Sequence, residues 1–180
     1  MLFLVVFAGC GRQEAPQHEP VDNRYGAPQV ESPRDVRSFA DDPCSGPIIS
    51  DNWPGLGFSA SGEQRTLTTG ERSCVRQGPE RQRRLSFIVV PSRDVLVDAY
   101  RVRQFALFRP SAVGGLPAAV EQSSLDSLSC SVTVGTAEGQ GFVLNYSEYS
   151  ARSNDAVDPC SAGRRVAEHI VAGLPLLSEK

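Results

Sequence analysis

Apolar and polar positions divide the chain into three stretches. Leu2 to Phe7 is an unbroken apolar run, Gly11 to about Ala40 is polar and broken by Pro16, Pro20, Pro28 and Pro33, and regular apolar spacing begins after Asp42. Asp42 as N-cap and Pro43 at the first helical position open a helix that Gly46 and Pro47 keep short. Runs over Gln64–Thr69, Ser73–Gln77 and Arg84–Val90 read as strands, the last rich in β-branched and aromatic residues. A helix capped by Ser92 is expected from Arg93 to about Gln104, with Val95, Ala99, Val102 and Ala106 on its apolar face. A turn at Gly114-Gly115-Leu116-Pro117 precedes a short strand, Ala118–Gln122. Cys130, Val132 and Val134 alternate with Ser129, Ser131 and Thr133, the period of a half-buried antiparallel strand. Leu128–Val134 and Gly141–Tyr146 therefore read as a hairpin across Gly135–Gly139. The clearest element is the last: Asp158 caps a helix started by Pro159, Ala162, Val166, Ile170 and Leu174 form its buried stripe, and Gly173 and Pro175 end it. Strands in runs with interspersed helices imply an α+β domain, an antiparallel sheet with packed helices.

Five cysteines sharpen this picture. The apolar run exits through Ala8 and Gly9 into Cys10, the shape of a secretory signal ending in a lipobox, whose cysteine is acylated and becomes the mature N-terminus. The run is short for a signal core and no Lys or Arg precedes it, so the natural start is expected upstream of Met1. On this reading residues 1–9 are the signal segment, 10–40 the lipidated cysteine and a Pro-rich disordered tether, and 41–177 a single folded, disulfide-stapled domain. Cys44, Cys74, Cys130 and Cys160 remain, an even number, and in an exported chain they imply two disulfides. No two of them have zinc-site spacing, so no metal is expected. Cys44 and Cys160 both follow Asp-Pro in helical first turns while Cys74 and Cys130 lie in strands. Pairing like with like gives Cys44–Cys160 and Cys74–Cys130; the open alternative is sequential, Cys44–Cys74 and Cys130–Cys160.

Composition is that of an ordinary globular chain, 40% hydrophobic and 22% charged, and a formal net charge of -3 supplies no field for nucleic acid. Catalytic patterns are missing from the sequence. His18 lies in the tether, and His169 falls on the polar side of the last helix. Gly57-Phe58-Ser59-Ala60-Ser61-Gly62 has the wrong spacing for a nucleophile elbow, and no phosphate loop or dinucleotide fingerprint occurs. No cofactor is expected. Arg72, Arg76, Arg81, Arg83 and Arg84 cluster in sequence, offset by Glu71 and Glu80. They read as a solvated strand edge or as a contact for anionic headgroups or wall polymer.

The lipobox, the Pro-rich tether, Asp-Pro-Cys44, Leu56-Gly57, Cys74, Gly115-Leu116-Pro117-Ala118, Cys130, Asp-Pro-Cys160 and Gly173-Leu174-Pro175 together resemble the small actinobacterial lipoproteins that share a domain of unknown function. The likeness spans about residues 41–175, with Arg76 standing where that family usually has an aromatic residue. It implies location and fold, not chemistry. The expected role is non-catalytic: a lipoprotein held by its lipid on the outer face of the cell membrane, with a binding or accessory function toward an envelope ligand or protein. The alternatives are an envelope hydrolase whose site is not visible in sequence and a purely structural envelope component.

Overall fold

A computed structural model describes residues 23–48, 52–149 and 157–177. Cys10, His18 and the signal segment lie outside the described residues. Seven strands, β1 (Glu63–Thr66), β2 (Arg72–Gln77), β3 (Arg83–Val90), β4 (Leu107–Val113), β5 (Leu116–Gln122), β6 (Ser129–Ala137) and β7 (Gln140–Glu148), form one sheet. Its order is β1-β2-β3-β7-β6-β5-β4, and all neighbouring strands run antiparallel. Two α-helices complete it, α1 (Val95–Val102) and α2 (Pro159–Gly173). The expected antiparallel sheet and the two expected disulfides are present, and the sheet rather than the helices makes up most of the domain.

The helices pack on opposite faces, as strand alternation requires. Val132, Val134, Leu144 and Phe142 point toward α2, whose stripe of Ala162, Val166, Ala167, Ile170 and Val171 is buried against them. Fully buried, Ile170 contributes about 2 kcal/mol by transfer alone. Ala119, one residue out of phase, meets Leu96 and Tyr100 of α1 on the other face. Gly135 and Gly141 face each other across β6 and β7 on this side, and a Cβ on either would run into Leu96 or Val95. The two missing side chains let α1 settle close to the sheet.

Several expectations are corrected. Pro110 and Arg109 interrupt the apolar pattern of β4, which is not expected from the sequence; it is an edge strand paired with β5 alone among the described residues, where proline is tolerated. The hairpin strands run on through Gly135 to a tighter turn at Glu138-Gly139. Asp94, not Ser92, caps α1, accepting the Val97 N–H at 3.1 Å, and Leu96 and Tyr100 are buried while Val102 is 61% exposed.

Residues 23–40 are not a tether. Val36 is fully buried in the main core and Ala27 in the smaller cluster under α1. The segment's amides find fixed partners: Arg34 N–H donates to Thr136 O, Asp35 N–H to Pro175 O, and Val36 N–H to the side chain of buried Gln140 at 3.0 Å. Prolines suit such a strap, because irregular backbone lacks ladder bonds for them to break.

The like-with-like disulfide pairing is also overturned. Cys44 bonds Cys74 and Cys130 bonds Cys160, each across 30 residues. Cys74 and Cys130 belong to strands separated by β3 and β7, too far apart to join, whereas each faces the short Asp-Pro-initiated turn beside it. The first bridge ties the 3-10 turn Pro43–Ser45 to β2; the second ties the start of α2 to β6.

Arg76 is the other unexpected member of this face. It is 3% exposed, and its guanidinium donates to the carbonyls of Ser59, Ala60 and Cys44 while lying 4.2 Å from the centre of the Trp53 ring. One side chain thus stitches two loops to β2. Non-reducing peptide mapping should recover Cys44–Cys74 and Cys130–Cys160 peptides, and Cys44→Ser/Cys74→Ser should cost about 3–4 kcal/mol in denaturant unfolding on the chain-entropy account. Arg76→Met keeps the stem but orphans buried carbonyls; the expected loss in the same assay is about 2–4 kcal/mol.

Candidate functional site

The arginine cluster does not form one surface. Arg76 is buried, and Arg83 reaches the buried carboxylate of Glu148 at 3.5 Å. Arg72 donates to Asp41 O. Alternation along β3 turns Arg84 to the face opposite Arg83. Arg81 is exposed on the turn before β3. An anionic contact built from all five is therefore not what the fold presents. The same neighbourhood carries a buried Tyr146, whose hydroxyl donates to Glu148 at 3.0 Å; burial and then that carboxylate push the phenol up to about 12.

A more coherent group of side chains lies on the α1 face. Register places Glu121 of β5 opposite Ser131 of β6, and Ser131 opposite Asn145 of β7, so three polar side chains form one row across adjacent strands. Antiparallel partners are about 5 Å apart, giving a row about 10 Å long. The next row on the same face is Ala119, Thr133 and Val143. Beside these rows stand Ala99 and Val102 from the C-terminal half of α1, and Phe105 from the loop after it. Together they enclose a cleft of about 490 Å3. A second hollow of about 300 Å3 shares Phe105, Glu121, Ser131 and Asn145 with the first.

Glu121 is the unusual member. It is 5% exposed, its carboxylate receives the Phe105 backbone N–H, and its Oε1 has no hydrogen-bond partner among the described residues. Burial raises its pKa above the usual carboxylate value, only partly opposed by the Phe105 N–H. A buried acceptor left unmet costs about 1–3 kcal/mol. Such a group inside a cleft marks a site by its chemistry. The sequence carried a faint signal: Glu121 follows Ala118-Ala119-Val120, a charge in an otherwise apolar strand.

The rim is charged but internally neutralised. Asp98 sits between Arg93 and Arg101, each at 2.7 Å, and Arg93 also binds Glu71 at 2.9 Å. With Glu121 ionised, the lining balances Arg93 and Arg101 against Asp98 and Glu121. His169 is exposed on α2, on the opposite face of the sheet, and cannot act as a base for Ser131. Asp126 is not part of the lining and Asp94 is engaged by Arg24 at 3.0 Å. Among the described residues no cluster of His, Cys, Asp and Glu is arranged to hold a metal ion.

The model of a family described as "Protein of unknown function (DUF3558)" matches residues 5–172. The chain belongs to the DUF3558 family. No curated protein and no solved structure matches it. The matched span takes in the strap, the sheet, α1 and nearly all of α2, so the cleft of this DUF3558 protein lies within the family's shared region.

The raised pKa of Glu121 has a readable consequence. An acid whose folded pKa exceeds its unfolded value contributes no penalty below the unfolded value and loses stability as pH rises through the folded one. Glu121→Gln removes that loss. Thermal midpoints of variant and wild type should coincide below about pH 4 and separate in the variant's favour by pH 7; a variant less stable than wild type at pH 7 would contradict the buried, unmet carboxylate.

Proposed function

We propose that this DUF3558 protein is a lipoprotein held on the outer face of the cell membrane through Cys10, binding an envelope ligand in the cleft beside α1 without transforming it. The observation that carries the binding reading is the cleft itself, where the polar row Glu121, Ser131 and Asn145 meets the apolar side chains of Ala99, Val102 and Phe105. The cleft's volume falls within the roughly 300–1,000 Å3 of small-molecule sites, and its mixture of an apolar wall with a few convergent polar groups is typical of them.

Location rests on separate support. Two disulfides suit an oxidising compartment. The Ala-Gly-Cys10 exit from an apolar run supplies the anchor, and among the described residues no helix is long and apolar enough to cross a membrane. A diacylglycerol on the Cys10 thiol carries two acyl chains, the two lipid signals that stable attachment requires. The resemblance to actinobacterial lipoproteins points to the same place.

Two measurements test the two halves of this reading. Palmitate labelling and membrane fractionation of the natural full-length protein should both be lost in Cys10→Ser. For the cleft, Ala99→Trp places an indole where the ligand sits. Small molecules extracted from the producing cell's envelope should raise the thermal midpoint of wild type and leave Ala99→Trp unmoved; equal shifts in both, or none in either, would refute the cleft as the binding site.

A further inference from the structure

We infer that the hollow between the Pro54–Leu56 turn and the first turns of α2 is a second binding site, on the other face of the sheet from the cleft, and that it takes an organic monoanion with an apolar arm through Arg83 and Arg165. It is independent of the reading of the α1 cleft.

A turn, a strand end and a helix build the site. Pro54–Leu56 forms a 3-10 turn that Gly57 ends in the left-handed conformation, at φ 82°. Arg83 opens β3 and runs past Gly57 and Gly78. A Cβ on Gly57 would stand 2.6 Å from Arg83 Nη1, and one on Gly78 would collide with the Arg83 stem. Two side chains are thus missing where one guanidinium has to pass. Arg165, in the second turn of α2, enters the same hollow, whose volume is about 320 Å3. Leu56, Val157, Ala162 and Val166 give it an apolar wall.

Charge decides the class of occupant. Arg83 meets Glu148 through Nε at 3.5 Å, longer than a charge-assisted hydrogen bond, and that nitrogen has no hydrogen-bond partner among the described residues. The Arg83 side chain keeps 29% of its surface in solvent and Arg165 is exposed, so a ligand can reach both. Glu148 is 2% exposed, and among the described residues no Asp or Glu lines the hollow. Two guanidinium groups against one buried carboxylate leave one positive charge to be matched. Both cations act on the same buried phenol, opposing the rise in the Tyr146 pKa, which places them around one spot.

A planar guanidinium binds two oxygens on one centre as a fork, the geometry of a carboxylate or a phosphodiester. A cation is repelled by both arginines. A neutral ligand would desolvate them and return no charge. The wall from Leu56 to Val166 selects an anion that carries hydrocarbon over a bare inorganic ion. The volume lies at the lower end of the roughly 300–1,000 Å3 of small-molecule sites, room for a headgroup and part of a chain.

Titration of the full chain, followed by the amide NMR signals of Leu56, Gly57 and Arg165, tests this with octanoate, dihexanoylphosphatidylglycerol, acetate and octylammonium. Octanoate or the phosphatidylglycerol is expected to move those signals saturably, and the tighter of the two names the anionic group. Acetate should bind about tenfold more weakly than octanoate, for want of the arm, and octylammonium should not bind. Arg165→Gln alters an exposed side chain and leaves Glu148 its Arg83, so the fold should survive; the bound anion should weaken by about tenfold. Arg164→Gln, which lines a different hollow, and Ala99→Trp, in the α1 cleft, should leave binding unchanged. No saturable shift from either anionic amphiphile, acetate as tight as octanoate, or octylammonium binding equally would overturn the proposal. So would an equal loss in Arg164→Gln, or a loss in Ala99→Trp, which would move the probe to the other face. Failure at Arg165 leaves the α1 cleft to be judged by its own comparison.

Discussion

A seven-stranded sheet at about 4.8 Å between strands is about 29 Å wide, and each of its faces has to be covered or made polar. At 1.5 Å per residue, α2 with its 15 residues runs about 22 Å and α1 with its 8 about 12 Å. The first length is enough for the face where Val132, Leu144 and Phe142 gather. The second is not, and the sequence on that face answers the shortfall: Ser131, Asn145 and Ser86 stand where the facing rows carry leucine and phenylalanine. The cleft is the margin that a short helix leaves on a wide sheet. Its floor is polar because it was never going to be roofed.

The covalent and ionic fastenings are distributed unevenly about that sheet. Both disulfides and the buried Arg76 lie on the α2 side, where they fix the Pro43–Ser45 turn, the loop around Ser59 and the start of α2. No bridge touches α1. It is positioned by the glycine pair beneath it, by Tyr100 packed edge-on to Phe108 at 4.9 Å, and by Arg24 of the N-terminal strap on its capping Asp94. One side of the molecule is therefore stapled, and the side with the cleft is held by contacts that can yield and re-form. Binding surfaces are commonly drawn from the less stable parts of a fold, and this arrangement supplies one without loosening the core.

Elements whose burial is periodic were legible in the sequence. α2 has its cap, its Pro start and its stripe where spacing puts them, and β3 and β6 show the β-branched and alternating patterns of their environment. What escaped were features decided by partners distant in the chain. β4 carries Pro110 because it is an edge, a fact of sheet order rather than of composition. The strap over residues 23–40 buries Ala27 and Val36 and packs Val30, Phe39 and Ala40 partly against the core, without any regular apolar period, and its order comes also from backbone amides meeting Thr136, Pro175 and Gln140. Disulfide pairing followed the sheet order, which separates Cys74 from Cys130, and local chemistry around each cysteine carried no information on that. Arg76 reads as one member of a solvated arginine cluster; only the fold shows it buried, with three loop carbonyls on its terminal nitrogens.

Arg76 has a consequence for how this protein can drift. Three carbonyls from two loops converge on one planar fork over an indole, and an ammonium cannot reproduce that geometry. Lysine, the usual neutral exchange for arginine, is therefore closed to this position. An apolar replacement has to arrive together with a rebuilt loop. Such a residue changes in descendants as a whole unit with its surroundings or stays as it is, and lineages in which the position is aromatic are expected to differ in the Ser59–Ser61 turn as well.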